Sequence, residues 1–111
     1  MRKASSIFMT VVLCVAAFVG CGTDTNSESL EELIALGAQY LVDGNYREAV
    51  VAFDKAIKVD DKSVVAYVGL GDGNLGLEDY DKAGEAYEKA IAVDDQTIEA
   101  YIGRADAYLF E

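Results

Sequence analysis

A chain of 111 residues can form one small domain and little more. Twenty acidic residues against nine basic ones give a net charge of −11, which excludes the clustered Lys and Arg surface that nucleic acid requires. With no His and only two Cys, the usual parts of nucleophilic and metal-assisted catalysis are missing as well.

The first 20 residues differ from the rest. Arg2 and Lys3 form a short positive head, and an apolar stretch runs from Ile7 to Gly20. A positive head followed by an apolar run that ends in small residues is the layout of a secretory leader. That run falls short of the ~20 residues a membrane span needs, so a cleaved leader over 1–20 is expected rather than an uncleaved anchor. Every acidic residue lies after Cys21, so the remainder is more acidic than the whole. Phe18-Val19-Gly20-Cys21 resembles the lipobox of bacterial lipoproteins, with Phe18 in place of the usual Leu. The resemblance implies cleavage before Cys21 and lipidation of its thiol, and two or more acyl chains give stable anchoring where one does not. The alternative is Cys21 as an apolar filler. Residues 21–28 that follow are small and polar, the composition of a flexible tether.

From residue 29 onward the chain repeats itself. A shift of 34 pairs Tyr46 with Tyr80, Ala49 with Ala83 and Ala52 with Ala86. Lys55-Ala56-Ile57 meets Lys89-Ala90-Ile91, Val59-Asp60-Asp61 meets Val93-Asp94-Asp95, and Ala66-Tyr67 meets Ala100-Tyr101. Gly69, Asp72 and Leu75 meet Gly103, Asp106 and Leu109, making 14 identities in the 34 positions from Gly44 to Leu77. Chance gives roughly two or three, so the period reflects repeated structure.

Within each unit the apolar spacing is helical. Leu33, Leu36, Gly37 and Tyr40 share one face, as do Ala49, Ala52, Phe53, Ala56 and Ile57. Ser29, Ser63 and Thr97 are suited to N-cap helices, and Ser29 with Glu32 makes a capping box. Turns are expected at Asp43-Gly44-Asn45 and Leu77-Glu78-Asp79. The acidic pairs Asp60-Asp61 and Asp94-Asp95 are expected to lie at helix entries. The pattern predicts helices near 29–42, 45–58, 63–76, 79–92 and 97–110.

A 34-residue unit of two helices with this residue order resembles the tetratricopeptide repeat. The matching residues are Leu33, Leu36, Gly37, Tyr40, Ala49, Phe53 and Ala56 in the first unit. In the second they are Tyr67, Leu70, Gly71, Ala83, Tyr87 and Ala90, with Asn74 where Tyr is usual; the third has Tyr101, Ala105 and Tyr108. Asp61 and Asp95 stand where the family has Pro. The resemblance implies an all-α superhelix of tetratricopeptide-type helical hairpins, about two and a half repeats, over 29–111.

Other motifs are weaker. Gly71-Asp72-Gly73-Asn74-Leu75-Gly76 spells GxGxxG, but nucleotide binding needs a strand before it and a helix opening at it. The repeat register puts it inside a helix, which four glycines should soften. Asp72-x-Asn74 begins like a calcium loop, yet Leu77 falls where such a loop needs Gly. No cofactor, metal or catalytic residue is expected.

The family resemblance implies a partner-binding groove lined by the first helix of each unit. That groove comprises Ile34, Ala38 and Leu41, then Val68, Asp72 and Leu75, then Ile102, Asp106 and Leu109, with Glu31, Val65 and Glu99 at its rim. Part of this set is also expected to pack against neighbouring helices. The Lys, Arg and Asn clamp by which chaperone-binding members hold a carboxylate is absent, so a basic or amphipathic peptide is the expected partner. The last helix, with Ile102, Leu109 and Phe110, should expose an apolar side open to self-association. The expected function is a lipid-anchored protein-binding or scaffold module of the bacterial envelope. A self-associating assembly factor and an accessory domain of a larger protein are the alternatives.

Overall fold

A computed structural model describes residues 28–110. The leader, most of the tether and Cys21 lie outside the described residues. Five helices follow one another: α1 (Leu30–Asp43), α2 (Tyr46–Val59), α3 (Val64–Gly76), α4 (Tyr80–Val93) and α5 (Ile98–Phe110). The sequence-based bounds begin one residue early because they count each cap as the first helical residue.

The ends of these helices follow local chemistry. The Glu32 amide donates to Ser29 Oγ at 3.2 Å and the Ser29 amide donates to Glu32 Oε2 at 3.3 Å, the reciprocal box expected at the start of α1. Ser63 Oγ accepts from the Ala66 amide at 3.2 Å to open α3. Helix α1 stops at Gly44, whose φ of 79° is left-handed. One repeat later Glu78 takes the same role with φ 62°, a conformation that favours glycine.

Asp60 and Asp94 correct one expectation: they end helices rather than begin them. Each is the C-cap of the helix before it, α2 or α4. The Asp60 carboxylate accepts from the Lys62 amide and that of Asp94 from the Gln96 amide, both at 3.0 Å, forming two matching turns. The next residue's carbonyl is then capped from afar. Tyr67 Oη donates to the Asp61 carbonyl at 2.7 Å, and Tyr101 Oη donates to the Asp95 carbonyl at 2.9 Å. The family's proline is missing from these turns, and a tyrosine hydroxyl pins them instead.

The core is small residues around two rings. Phe53 is 2% exposed and Tyr87 0%, among buried Ala49, Ala52, Ala56, Ala83, Ala86 and Ala90. Phe53 presses on Gly37 of α1 and Gly69 of α3, while Tyr87 presses on Gly71 of α3 and Gly103 of α5. A Cβ placed at Gly37 would stand 2.7 Å from the Phe53 ring, and one at Gly71 would stand 2.5 Å from the Tyr87 ring. Gly73 likewise receives Val50, and Gly76 receives Tyr46. The glycines of α3, read from sequence as a source of softness, are the surface against which α2 and α4 pack.

Substitutions at two buried helical glycines should therefore move stability in opposite directions. Gly71→Ala forces a methyl into the Tyr87 ring and should cost about 1–3 kcal/mol despite its better helix propensity. At Gly84 a Cβ meets only Tyr108, at 3.7 Å, so Gly84→Ala should stabilise by about 0.5–1 kcal/mol. Urea denaturation of both variants checks the sign of each. Glu78→Gly should remove left-handed strain and raise the urea midpoint, by about 0.5–1 kcal/mol of stability, as Gly44 already does one repeat earlier.

Candidate functional site

Which side of the array is concave follows from the helix contacts. Each helix packs on the next, and in addition α1 touches α3 and α3 touches α5. The intervening α2 and α4 make no such contact with each other. Helices that touch on one side and splay on the other enclose a curved surface, with α1, α3 and α5 on its inner face. The first helices of the units therefore line the concavity.

All nine residues expected in the groove lie on these three helices, and each keeps part of its surface open. Ile34 packs against the cluster of Leu33, Ala56 and Ala66, whereas Ala38 is exposed and Leu41 half-buried. Val68 and Leu75 pack against the cluster around Ala83 and Tyr87 and remain half open. On α5 the surface is barer, with Asp106 half-buried, Ile102 exposed and Leu109 78% exposed. The expected rim residues Glu31, Val65 and Glu99 are exposed. Ile34, Val68 and Leu75 thus serve the core and face outward at once.

The middle of this surface contains a polar device that sequence reasoning did not find. Tyr87 reaches from α4 between the glycines of α3 and α5, and its hydroxyl donates to Asp72 Oδ1 at 2.5 Å. Burial pushes the Asp72 carboxyl above the ordinary carboxylate range, although the Tyr87 hydrogen bond works the other way. Burial raises the Tyr87 phenol far more, and the hydrogen bond to Asp72 and the negative charges of Asp72 and Asp106 add to it. Tyr87 therefore stays a neutral donor. In the first unit the corresponding pair is Phe53 and Ala38, with neither hydroxyl nor carboxyl. The paired change, Tyr for Phe and Asp for Ala one repeat on, was the available sign of this bond.

Elsewhere the described residues hold little that suggests chemistry. No group of three or more His, Cys, Asp or Glu side chains among them could hold a metal ion. No helix among them is long and apolar enough to cross a membrane. The Lys82–Asp79 ion pair, at 3.7 Å and well exposed, contributes little.

Comparisons with known proteins agree with this geometry. The family model described as tetratricopeptide repeat matches residues 64–97, the stretch from α3 to the residue before α5. No curated protein matches the chain in sequence. Among solved structures, the Arabidopsis OM64 TPR domain is similar at TM-score 0.70 and 22% identity, over 74% of this chain and 68% of that one. The TPR2AB-domain:pHSP90 complex of yeast Sti1 is similar at TM-score 0.72 and 25% identity. That match covers 97% of this chain but only 39% of the yeast one. The matched repeat is flanked on both sides by helices in the same register, so the chain contains a tetratricopeptide repeat and has the fold of an all-α array of such helical hairpins.

Proposed function

We propose that the protein is a membrane-anchored interaction module that holds a basic or amphipathic segment of another protein against its inner face. The observation that carries the reading is the repeated carboxylate on that face. Asp72 and Asp106 occupy one register on adjacent helices, bordered by Val68, Leu75 and Ile102. A ligand with cations one repeat apart and apolar side chains between them matches this pattern. The fold itself is that of protein-interaction modules, and the yeast Sti1 structure is a complex with pHSP90. The acidic floor here calls for a different ligand charge from a carboxylate-ended tail.

The anchor rests on the sequence before the helices. The lipobox-like run ending at Cys21 and the polar residues after it fit a module tethered by lipid to the bacterial envelope. Self-association through α5 is the second reading, favoured by the exposure of Ile102, Leu109 and Phe110. A binding role fits better than a catalytic one, because the described residues include no His and no Cys.

Titration of an amphipathic Lys-rich peptide, followed by fluorescence anisotropy, tests the groove. The Asp72→Asn, Asp106→Asn double variant should weaken binding about 3- to 10-fold and flatten its salt dependence. Asn at 72 can still accept from Tyr87, so the fold should hold. Unchanged affinity would leave the acidic floor without a role. The anchor has its own test. Mass spectrometry of the protein from expressing bacteria should show a chain that starts at a diacylglyceryl-modified Cys21, and an unmodified Cys21 would refute lipidation at that residue.

A further inference from the structure

A second surface, on the outer side of the array, is formed from the first hairpin. Leu33, Leu36 and Tyr40 of α1 and Val51 and Ala52 of α2 line an apolar cleft of about 340 Å³. Arg47, Lys55, Glu28 and Glu48 complete its walls. Leu36 is 42% exposed and Val51 51%, unusual for large apolar residues in the middle of helices.

The same cleft occurs again one repeat later, and there it has a third wall. Leu70, Asn74, Ala86 and Lys89 stand where Leu36, Tyr40, Ala52 and Lys55 stand in the first unit. Val50 and Asp54 of α2 close that second cleft from the side. The chain thus contains a worked example of what this surface accepts: a helix with an apolar residue and, one turn later, an acid. Lysine is the cation common to both clefts, at 55 and 89.

The two clefts also differ in an informative way. Tyr40 and Val51 in the first replace Asn74 and Glu85 in the second, so the first is more apolar. The approach is different too. Helix α3 offers Gly69, Gly73 and Gly76 to α2, whereas α1 has Ala35, Gln39 and Val42 in the same register. A helix laid on α1 must stand further off than α2 does on α3, and only longer side chains than Val50 can fill the cleft. The chain's other outer helix is no substitute, because α4 has Gly84 in the place of Val50.

From this we infer that the α1–α2 cleft is a second docking site, for an amphipathic helix of a partner protein. That helix carries long apolar residues on the cleft side, with Asp or Glu one turn on facing Lys55 and Arg47. This surface is separate from the inner face, so the two can be occupied together.

The test uses the full chain in mild detergent and a labelled 16-residue amphipathic peptide with two Leu residues on one face, each followed four positions later by Glu. Anisotropy should show saturable binding in the micromolar range, about tenfold weaker for Val51→Glu and at least about threefold weaker for Lys55→Glu. Asp72→Asn should leave it within about twofold, since that residue lies on the other face. Circular dichroism confirms that the exposed-site variants fold, and Lys55→Glu stands as the independent readout if Val51→Glu does not. Three results would overturn the inference: no saturation at millimolar peptide, equal binding of the peptide with Lys in place of Glu, or indifference to both substitutions. A concentration-dependent dimer in sedimentation that Val51→Glu abolishes would assign the cleft to a second copy instead, and would overturn the partner assignment.

Discussion

Phe53 and Tyr87 each lie in a slot that exists because the helices on both sides bring no side chain to it. Gly37 and Gly69 face the Phe53 ring, and Gly71 and Gly103 face the Tyr87 ring. The spacing of each pair, one on the helix before and one on the helix after, makes a ring on an outer helix the joint between two inner ones. Two glycines within helices cost about 1–2 kcal/mol together. Removing a buried ring of this size costs about 3–5 kcal/mol, so the arrangement is favourable only if the ring fills its slot. Both rings do, with almost no surface left to solvent.

That joint also determines the curvature. The glycines let α1, α3 and α5 approach one another closely enough to touch, while α2 and α4 do not touch each other. The inner face is therefore continuous, and residues 34 positions apart stand side by side on it. The Asp72 and Asp106 register is a consequence of packing, and its chemistry comes from the residue type that the repeat happens to place there. The outer face is discontinuous by the same geometry, which leaves a cleft at each hairpin.

Much of this was legible in the sequence because a repeat states its own register twice. The five helices, their turns and the Ser29 capping box follow from periodicity and local cap chemistry, both of which act over a few residues. The nine groove positions were carried over from the family resemblance; they lie on the inner helices and keep open surface. What sequence missed was contact across the stack. Asp60 and Asp94 look like helix-entry acids, yet the chain turns at them, because Tyr67 and Tyr101 reach back six residues to hold the following carbonyl. The α3 glycines read as a weakness in isolation, since propensity counts only the helix that contains them. Their use is visible only with Phe53, Tyr87, Val50 and Tyr46 in place.

The difference between the two units carries further meaning for how such an array diversifies. Backbone and ring slots are common to both hairpins, so the repeat tolerates change only where a side chain leaves the slot. At the inner face that change is Ala38 to Asp72 together with Phe53 to Tyr87. Tyr87 is the half that needs its partner: the ring is fully buried, and without Asp72 its hydroxyl would meet the inner face with no side-chain acceptor. An unpaired buried polar group costs about 1–3 kcal/mol, as much as the packing of the ring can spare. Asp72 on the inner face is thus held from behind by the Tyr87 hydroxyl of its own repeat. The first unit, with Phe53 at the joint, stays apolar on its inner face for the same physical reason.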